Sequence, residues 1–379
     1  MYSKKLIQNV ENELESLKKA GKFKVERELE GAQGADVEIN GKKVLMFASN
    51  NYLGLANHPE IVKSAKEAMD KYGFGLSSVR FISGTETIHK FLEKKLAEFL
   101  GAEDSILYST NFMANLGFFA TITNETFGNI EHIDAIYSDE LNHASIIEAF
   151  KLCKKEFVVK RIYPHGDLAT LAQMLEEDKE KGYRFKIIVT DGVFSMEGYL
   201  AQLPKILELA KKYEALLFVD DAHAVGVLGK TGAGPPEYFG LQGKIDVLSG
   251  TFGKALGGAV GGYIAGKKQI IELLRQKSRT YLFSNSVPPS VVLTSIKALN
   301  LLKEKPELLT KVKENSEYFR NGIKKLGFNV LEGNHPIVPV MIGDAGKTQE
   351  ISKKLLEKGL FVVGLWFPVV PENTARLRF

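Results

Sequence analysis

Two short stretches carry residues that could do chemistry together. "FVDDAHAVG" sets Asp220, Asp221 and His223 directly after an apolar run, and "SGTFGKALGG" sets Lys254 among glycines thirty-four residues later (254 − 220 = 34). Two acids at the end of a buried run are costly unless a cation or hydrogen-bond donors meet them. One reading of Asp220 is a helix N-cap beside a solvated acid; the other is an aspartate facing a protonated ring nitrogen. Lysine alone in a glycine-rich loop reads as a solvated turn residue. Taken out of water it becomes a better nucleophile and base, and glycine neighbours let the backbone approach a bound group closely. A lysine that forms a Schiff base with pyridoxal 5'-phosphate (PLP) needs an aspartate partner for the pyridinium nitrogen. The combination of Asp220, His223 and Lys254 favours that chemistry.

The elements that must position these residues are visible as a pattern. Short apolar runs at 105–109, 135–138, 186–191, 215–221, 246–250 and 261–266 alternate with helical stretches such as "TIHKFLEKKLAEFL" and "LPKILELAKKYE". Such alternation predicts a parallel-rich sheet between helices, with ligands beyond the carboxyl ends of the strands. From about residue 290 a long helical region reaches about 326, and "FNVLEG", "IVPVMIG", "LFVVGLWF" and "TARLRF" follow as strand-like runs. The expected organisation is an N-terminal helix with short strands over 1–50, a large PLP-binding α/β domain over 51–288 and a small C-terminal α+β domain over 289–379.

Composition excludes several classes. The chain has 379 residues, 44% hydrophobic and 25% charged, as in an ordinary soluble protein. Fifty Lys and Arg against 46 Asp and Glu leave a net charge of +4, too little to argue for nucleic acid. The single cysteine, Cys153, rules out an internal disulfide framework and a CxxC metal site; no metal is expected. No run approaches the ~18 apolar residues of a membrane span. The N-terminal stretch reads as a charged amphipathic helix rather than a targeting peptide, so a cytoplasmic location is expected. "GKT" at Gly229 and Gly346 lacks the P-loop glycine five positions earlier, where Ala224 and Met341 stand.

The motifs "FASNNYLGLANHP" (47–59), "GFGLSSVRFISGT" (73–85), "SDELNHASI" (138–146), "VTDGVFSMEG" (189–198), "VDDAHAVG" (219–226), "SGTFGKALGG" (249–258) and "YLFSNS" (281–286) span almost the whole chain. Together they resemble the α-oxoamine synthases, fold-type-I PLP enzymes. The resemblance implies an aspartate aminotransferase-like fold with a seven-stranded, mostly parallel sheet. It implies that Lys254 bonds the cofactor and moves the substrate Cα proton, and that Asp220 pairs with the ring nitrogen. Ser195 and His223 would lie near the phenolic oxygen, and His143 would stack on the ring; without that context His143 reads as a helix-start histidine. Asn111 and Phe112 would give backbone amides to the phosphate at a helix N-terminus, with the hydroxyl of Thr251 and, from a partner subunit, that of Ser284.

Asn50 and Arg378 would bind the substrate, the guanidinium fork of Arg378 taking a carboxylate. The family continues past this arginine, whereas this sequence stops one residue later, at Phe379; a looser hold on Arg378 and weaker substrate affinity are expected. The implied reaction is acyl transfer from acetyl-CoA to glycine in a homodimer with sites at the interface. Its alternative is the branch that joins alanine to a pimeloyl thioester. A non-catalytic partner subunit would be expected to lack the Schiff-base lysine, which is present.

Overall fold

The computed structural model describes residues 3–20, 22–125, 127–128 and 131–379. The elements open with α1 (Lys4–Lys19), β1 (Asp36–Ile39), β2 (Lys42–Met46), α2 (Pro59–Tyr72), α3 (Thr87–Leu100), β3 (Asp104–Tyr108), α4 (Asn111–Asn124), β4 (Asp134–Asp139) and α5 (Ala144–Leu152). Next come β5 (Val158–Tyr163), α6 (Leu168–Glu177), β6 (Lys186–Asp191), α7 (Leu203–Lys212), β7 (Leu216–Asp220), α8 (Pro235–Tyr238), β8 (Val247–Thr251) and β9 (Gly262–Gly266). The chain closes with α9 (Lys268–Lys277), α10 (Arg279–Leu282), α11 (Pro289–Glu304), α12 (Glu307–Lys325), β10 (Pro339–Gly343), α13 (Ala345–Glu357), β11 (Leu360–Phe361), β12 (Val363–Leu365) and β13 (Ala375–Arg378). No helix among the described residues is long and apolar enough to cross a membrane.

The chain divides into two compact units, the larger Ser49–Pro339 and the smaller the residues up to Ala48 with Val340–Phe379. In the larger unit a seven-stranded sheet runs β3-β9-β8-β7-β6-β4-β5. The pairs β4–β5, β4–β6, β6–β7 and β7–β8 are parallel, and β9 lies antiparallel between β8 and β3. Apolar side chains alternate across it, as the two-residue strand period requires. Tyr137, Ile188, Leu217 and Val219 join one core with Leu92, Leu96, Leu171, Leu203 and Val292. Ile136, Ile187, Val189 and Phe218 join another with Phe118, Ile146 and Ile271. Helices therefore cover both faces, which is what continuous apolar strands such as "KIIVTD" demand.

The expected boundary at 289 differs from the observed division. Helices α11 and α12 group with the larger unit because α11 buries Val292, Ile296 and Leu299 in the core shared with α2 and α3. The helical region expected from about 290 to about 326 consists of two helices, parted at Pro306, which has no N–H to continue the ladder. In the smaller unit β1 and β11 flank β2, β11 running parallel to it, and β13 lies between β10 and β12. "FNVLEG" forms no named strand.

Candidate active site

The strands β3, β4, β6, β7 and β8 end near residues whose types could do chemistry, and the sheet order brings these ends side by side. Asp220 closes β7 and pairs in register with Ser249 of the neighbouring β8. It is 4% exposed and lies under three N–H donors. Asn115 Nδ2 donates at 2.6 Å, Asn111 Nδ2 at 3.0 and 3.2 Å to its two oxygens, and the Ala222 amide at 2.9 Å. Asn111 and Asn115 stand one turn apart on α4, so both amides share a face. These donors meet the carboxylate oxygens out of water. Asp220 is not the solvated cap that its residue type alone would allow.

Asp221 has the opposite environment. It is fully buried, and neither carboxyl oxygen has a hydrogen-bond partner among the described residues. Gly192 and Gly234 flank it, and a Cβ on either would strike its oxygens. Burial and the charge of Asp220 push its proton affinity well above the usual carboxylate range. The two adjacent acids thus have opposite surroundings: N–H donors meet Asp220, and no hydrogen-bond partner among the described residues meets Asp221. Asp191, at the end of β6, is raised for the same two reasons and accepts from the His143 amide at 3.2 Å.

His143 caps α5, its Nδ1 accepting from the Ser145 amide at 3.2 Å. That bond leaves Nδ1 without a proton, so the Ser145 hydroxyl, 2.7 Å away, donates to it and the ring carries its proton on Nε2. Asn115 donates in turn to Ser145 Oγ at 2.8 Å. One asparagine therefore steadies both Asp220 and His143. Burial lowers the proton affinity of His143, the charge of Asp220 raises it and that of Lys254 lowers it. Lys254 also acts on Asp191, so Lys254, Asp220, His143 and Asp191 form one electrostatic group.

The loop carrying Lys254 folds back through Phe252 N to Gly261 O at 3.0 Å and Gly258 N to Phe252 O at 3.1 Å. Gly258 has φ +74° and would place a Cβ 2.9 Å from that of Ala56, so glycine is required there. Thr251 accepts from Gly253 N at 3.0 Å and donates to Gly261 O at 2.9 Å, so its proton is committed to the loop. Thr110 caps α4 by accepting from Met113 N at 3.1 Å, and Asn111 and Phe112 are the first helical residues. A Cβ at Gly262 would strike the Asn111 backbone nitrogen, so β9 can pass this helix start only as glycine. Ser284 Oγ lies 3.3 Å from Ser109 Oγ, beside the same helix start in its own subunit.

Ser195 is buried in the loop after β6, which closes by a bridge between Val193 and Leu200. His223 is buried, and its Nδ1 lies 2.8 Å from the Tyr52 hydroxyl. That hydroxyl is also 3.4 Å from Asn50 Oδ1. Arg378 belongs to the smaller unit, at the end of β13 opposite Val363. Sequence reasoning missed Asn115, Ser145, Asp191 and Tyr52. The four-residue spacing of Asn111 and Asn115 was the available signal for the first; the others become significant only through contacts between distant segments.

The arrangement fits PLP on its own terms. A buried carboxylate already met by N–H donors suits a protonated ring nitrogen, a capped helix start suits a phosphate, and Lys254 supplies an amine within the same group. Among the described residues no cluster of three or more His, Cys, Asp or Glu could hold a metal ion.

Residues 42–379 match the family model for aminotransferase class I and II. The chain belongs to that family, as an α-oxoamine synthase of the PLP-dependent acyltransferase class with the fold-type-I architecture. It is 48% identical to the 2-amino-3-ketobutyrate coenzyme A ligase of Salmonella typhimurium, over 97% of this chain and 90% of that protein. It is 46% identical to the 8-amino-7-oxononanoate synthase of Thermoanaerobacter pseudethanolicus, over 97% and 90%. The structure of serine palmitoyltransferase from S. paucimobilis with a bound PLP–myriocin aldimine superposes with a TM-score of 0.87 at 30% identity, covering 100% of this chain and 93% of that one.

Proposed function

We propose that this chain condenses glycine with acetyl-CoA, giving 2-amino-3-ketobutyrate and CoA, as a cytoplasmic homodimer with active sites at the interface. The observation that carries the proposal is the group formed by Asp220, beneath three N–H donors, with Lys254, His143 and Asp191 at the ends of neighbouring strands. The name of the Salmonella relative supports the substrate pair.

When bound, PLP supplies an electron sink for negative charge at the glycine Cα. Lys254 would anchor it, Asp220 would meet its ring nitrogen, and His143 would wall one face of the ring. Ser195 and His223 would face its phenolic oxygen. The amides of Asn111 and Phe112 would take the phosphate, with Thr251 once its proton leaves the Gly261 carbonyl, and with Ser284 supplied across the dimer interface. By the family resemblance, Arg378 would take the glycine carboxylate as a two-pronged donor, and Asn50 would also bind the substrate. The amine of Lys254 takes the Cα proton. A carbon–carbon bond then forms to the acetyl carbonyl carbon as its C–S bond breaks and CoA leaves as thiolate.

A second reading, alanine with a pimeloyl thioester, is favoured by the 46% identity to the Thermoanaerobacter enzyme. The test is CoA release from acetyl-CoA or pimeloyl-CoA with glycine or alanine. Release confined to glycine and acetyl-CoA supports the proposal; release confined to alanine and pimeloyl-CoA overturns it for the second reading. Lys254→Ala should abolish both CoA release and the visible absorbance of the bound cofactor, and retention of both would remove Lys254 from its role.

A further inference from the structure

His335 lies far from His223 in the chain, yet the fold sets its ring directly against it. His335 is fully buried. Its Nδ1 accepts from the Ile337 amide at 3.1 Å, so the ring proton is on Nε2, which donates to the His223 carbonyl at 2.8 Å. Both bonds persist only while the ring is neutral, because a second proton would turn Nδ1 into a donor facing a donor. The same ring stands edge-on to Tyr52, centroids 5.3 Å apart at 83°. Tyr52 in turn reaches His223 Nδ1 at 2.8 Å. His335 therefore touches both the backbone of His223 and the phenol that meets its imidazole.

The segment bearing His335 is itself held firmly. Arg320 of α12, 7% exposed, donates to the carbonyls of Leu331, His335 and Ile337. The Ile337 carbonyl abuts Gly198, where a Cβ would sit 2.8 Å from it. Gly198 N donates to Phe194 O at 2.8 Å and so closes the loop that carries Ser195. One short segment thus braces two loops, those of Ser195 and His223.

We infer that His335 is a positioning residue: from segment 331–337 it fixes the backbone of His223 and, through Tyr52, the orientation and tautomer of its imidazole. This rests on the placement of His223 beside the cofactor proposed above. Tyr52 has one proton to give. That proton goes either to His223 Nδ1, 2.8 Å away, or to Asn50 Oδ1, 3.4 Å away, in which case His223 Nδ1–H donates to the phenol; Tyr52 thus sets which ring nitrogen of His223 carries the proton.

The experiment uses the holoenzyme, with ¹⁵N signals of the histidine rings and the visible absorbance of bound PLP as readouts beside turnover. In the unmutated protein His335 should show the Nε2–H tautomer; an Nδ1–H form would overturn the inference without any variant. His335→Asn keeps an acceptor for Ile337 N–H but cannot reach the His223 carbonyl. It should alter the His223 ring signals, move the absorbance and lower kcat roughly ten-fold or more, the scale of small misplacements, with KM for acetyl-CoA changed far less. His335→Gln, whose amide nitrogen extends further, should recover most of the signal and of kcat. A folded His335→Asn variant with unchanged His223 signals and absorbance refutes the role. His223→Gln serves as the control: if it leaves the PLP absorbance unchanged, the placement of His223 fails, while the wild-type and His335→Asn ring signals still decide whether His335 positions it.

Discussion

Removing the Asn115 side-chain amide gives the sharpest test of how the site keeps a charge out of water. In Asn115→Ala, Asp220 loses its shortest donor, at 2.6 Å, and keeps Asn111 and the Ala222 amide; Ser145 loses a donor at 2.8 Å. A hydrogen bond to a charged group contributes about 1.5–3 kcal/mol, and a neutral one about 1 kcal/mol. If the first appears in the pairing of Asp220 with the PLP ring nitrogen, cofactor affinity falls roughly ten- to hundred-fold, at about 1.4 kcal/mol per decade. The Asn115 Oδ1 atom has no partner among the described residues, so its removal leaves no donor stranded. The assay is the PLP dissociation constant, by equilibrium dialysis with absorbance detection, alongside the melting temperature of the PLP-free protein. Asn115→Asp sets a second carboxylate against Asp220 and should weaken PLP binding further. A dissociation constant within two-fold of wild type in a folded Asn115→Ala protein would refute the claim that these donors ready Asp220 for the cofactor.

Gly262→Ala forces a methyl group onto the Asn111 backbone nitrogen; displacement of the α4 start should lower both PLP affinity and stability, the latter by roughly 1–3 kcal/mol, measured by dialysis and denaturant unfolding. Two histidines should tilt stability with pH in opposite directions. For His165, burial opposes protonation but the bond to Asp139 and the charges of Asp139, Glu197 and Glu140 outweigh it, so its folded value is raised. Its contribution is complete below the ordinary value of about 6.5 and is lost as pH rises through the folded value. For His143, lowered mainly by burial, the unfolded chain holds more protons, so stability is lost as pH falls below about 6.5. Denaturant midpoints from pH 5.5 to 8.5 should show His165→Gln removing the alkaline decline and keeping the acid one; an unchanged alkaline slope would count against the Asp139–His165 pair.

The local pattern already determined much. The runs at 186–191 and 215–221 became β6 and β7 almost residue for residue, because strands buried on both faces must be continuously apolar. β5 escaped notice because its burial alternates, with Lys160 and Arg161 between buried Val158 and Tyr163, so it lacks a continuous apolar run. The placement of Asp220 at the end of one strand and Lys254 just past the end of its parallel neighbour was legible because each belongs to or follows such a run. Residue types could not separate Asp220 from Asp221, since the difference lies in the amides that α4 brings to one acid and withholds from the other. Nor could they assign His335, whose tautomer depends on the Ile337 amide and the His223 carbonyl on either side of its ring. Sequence determined which residues could be charged, apolar or turned; tertiary structure decided which of them are buried and which meet hydrogen-bond donors, because desolvation and donors act through space rather than along the chain.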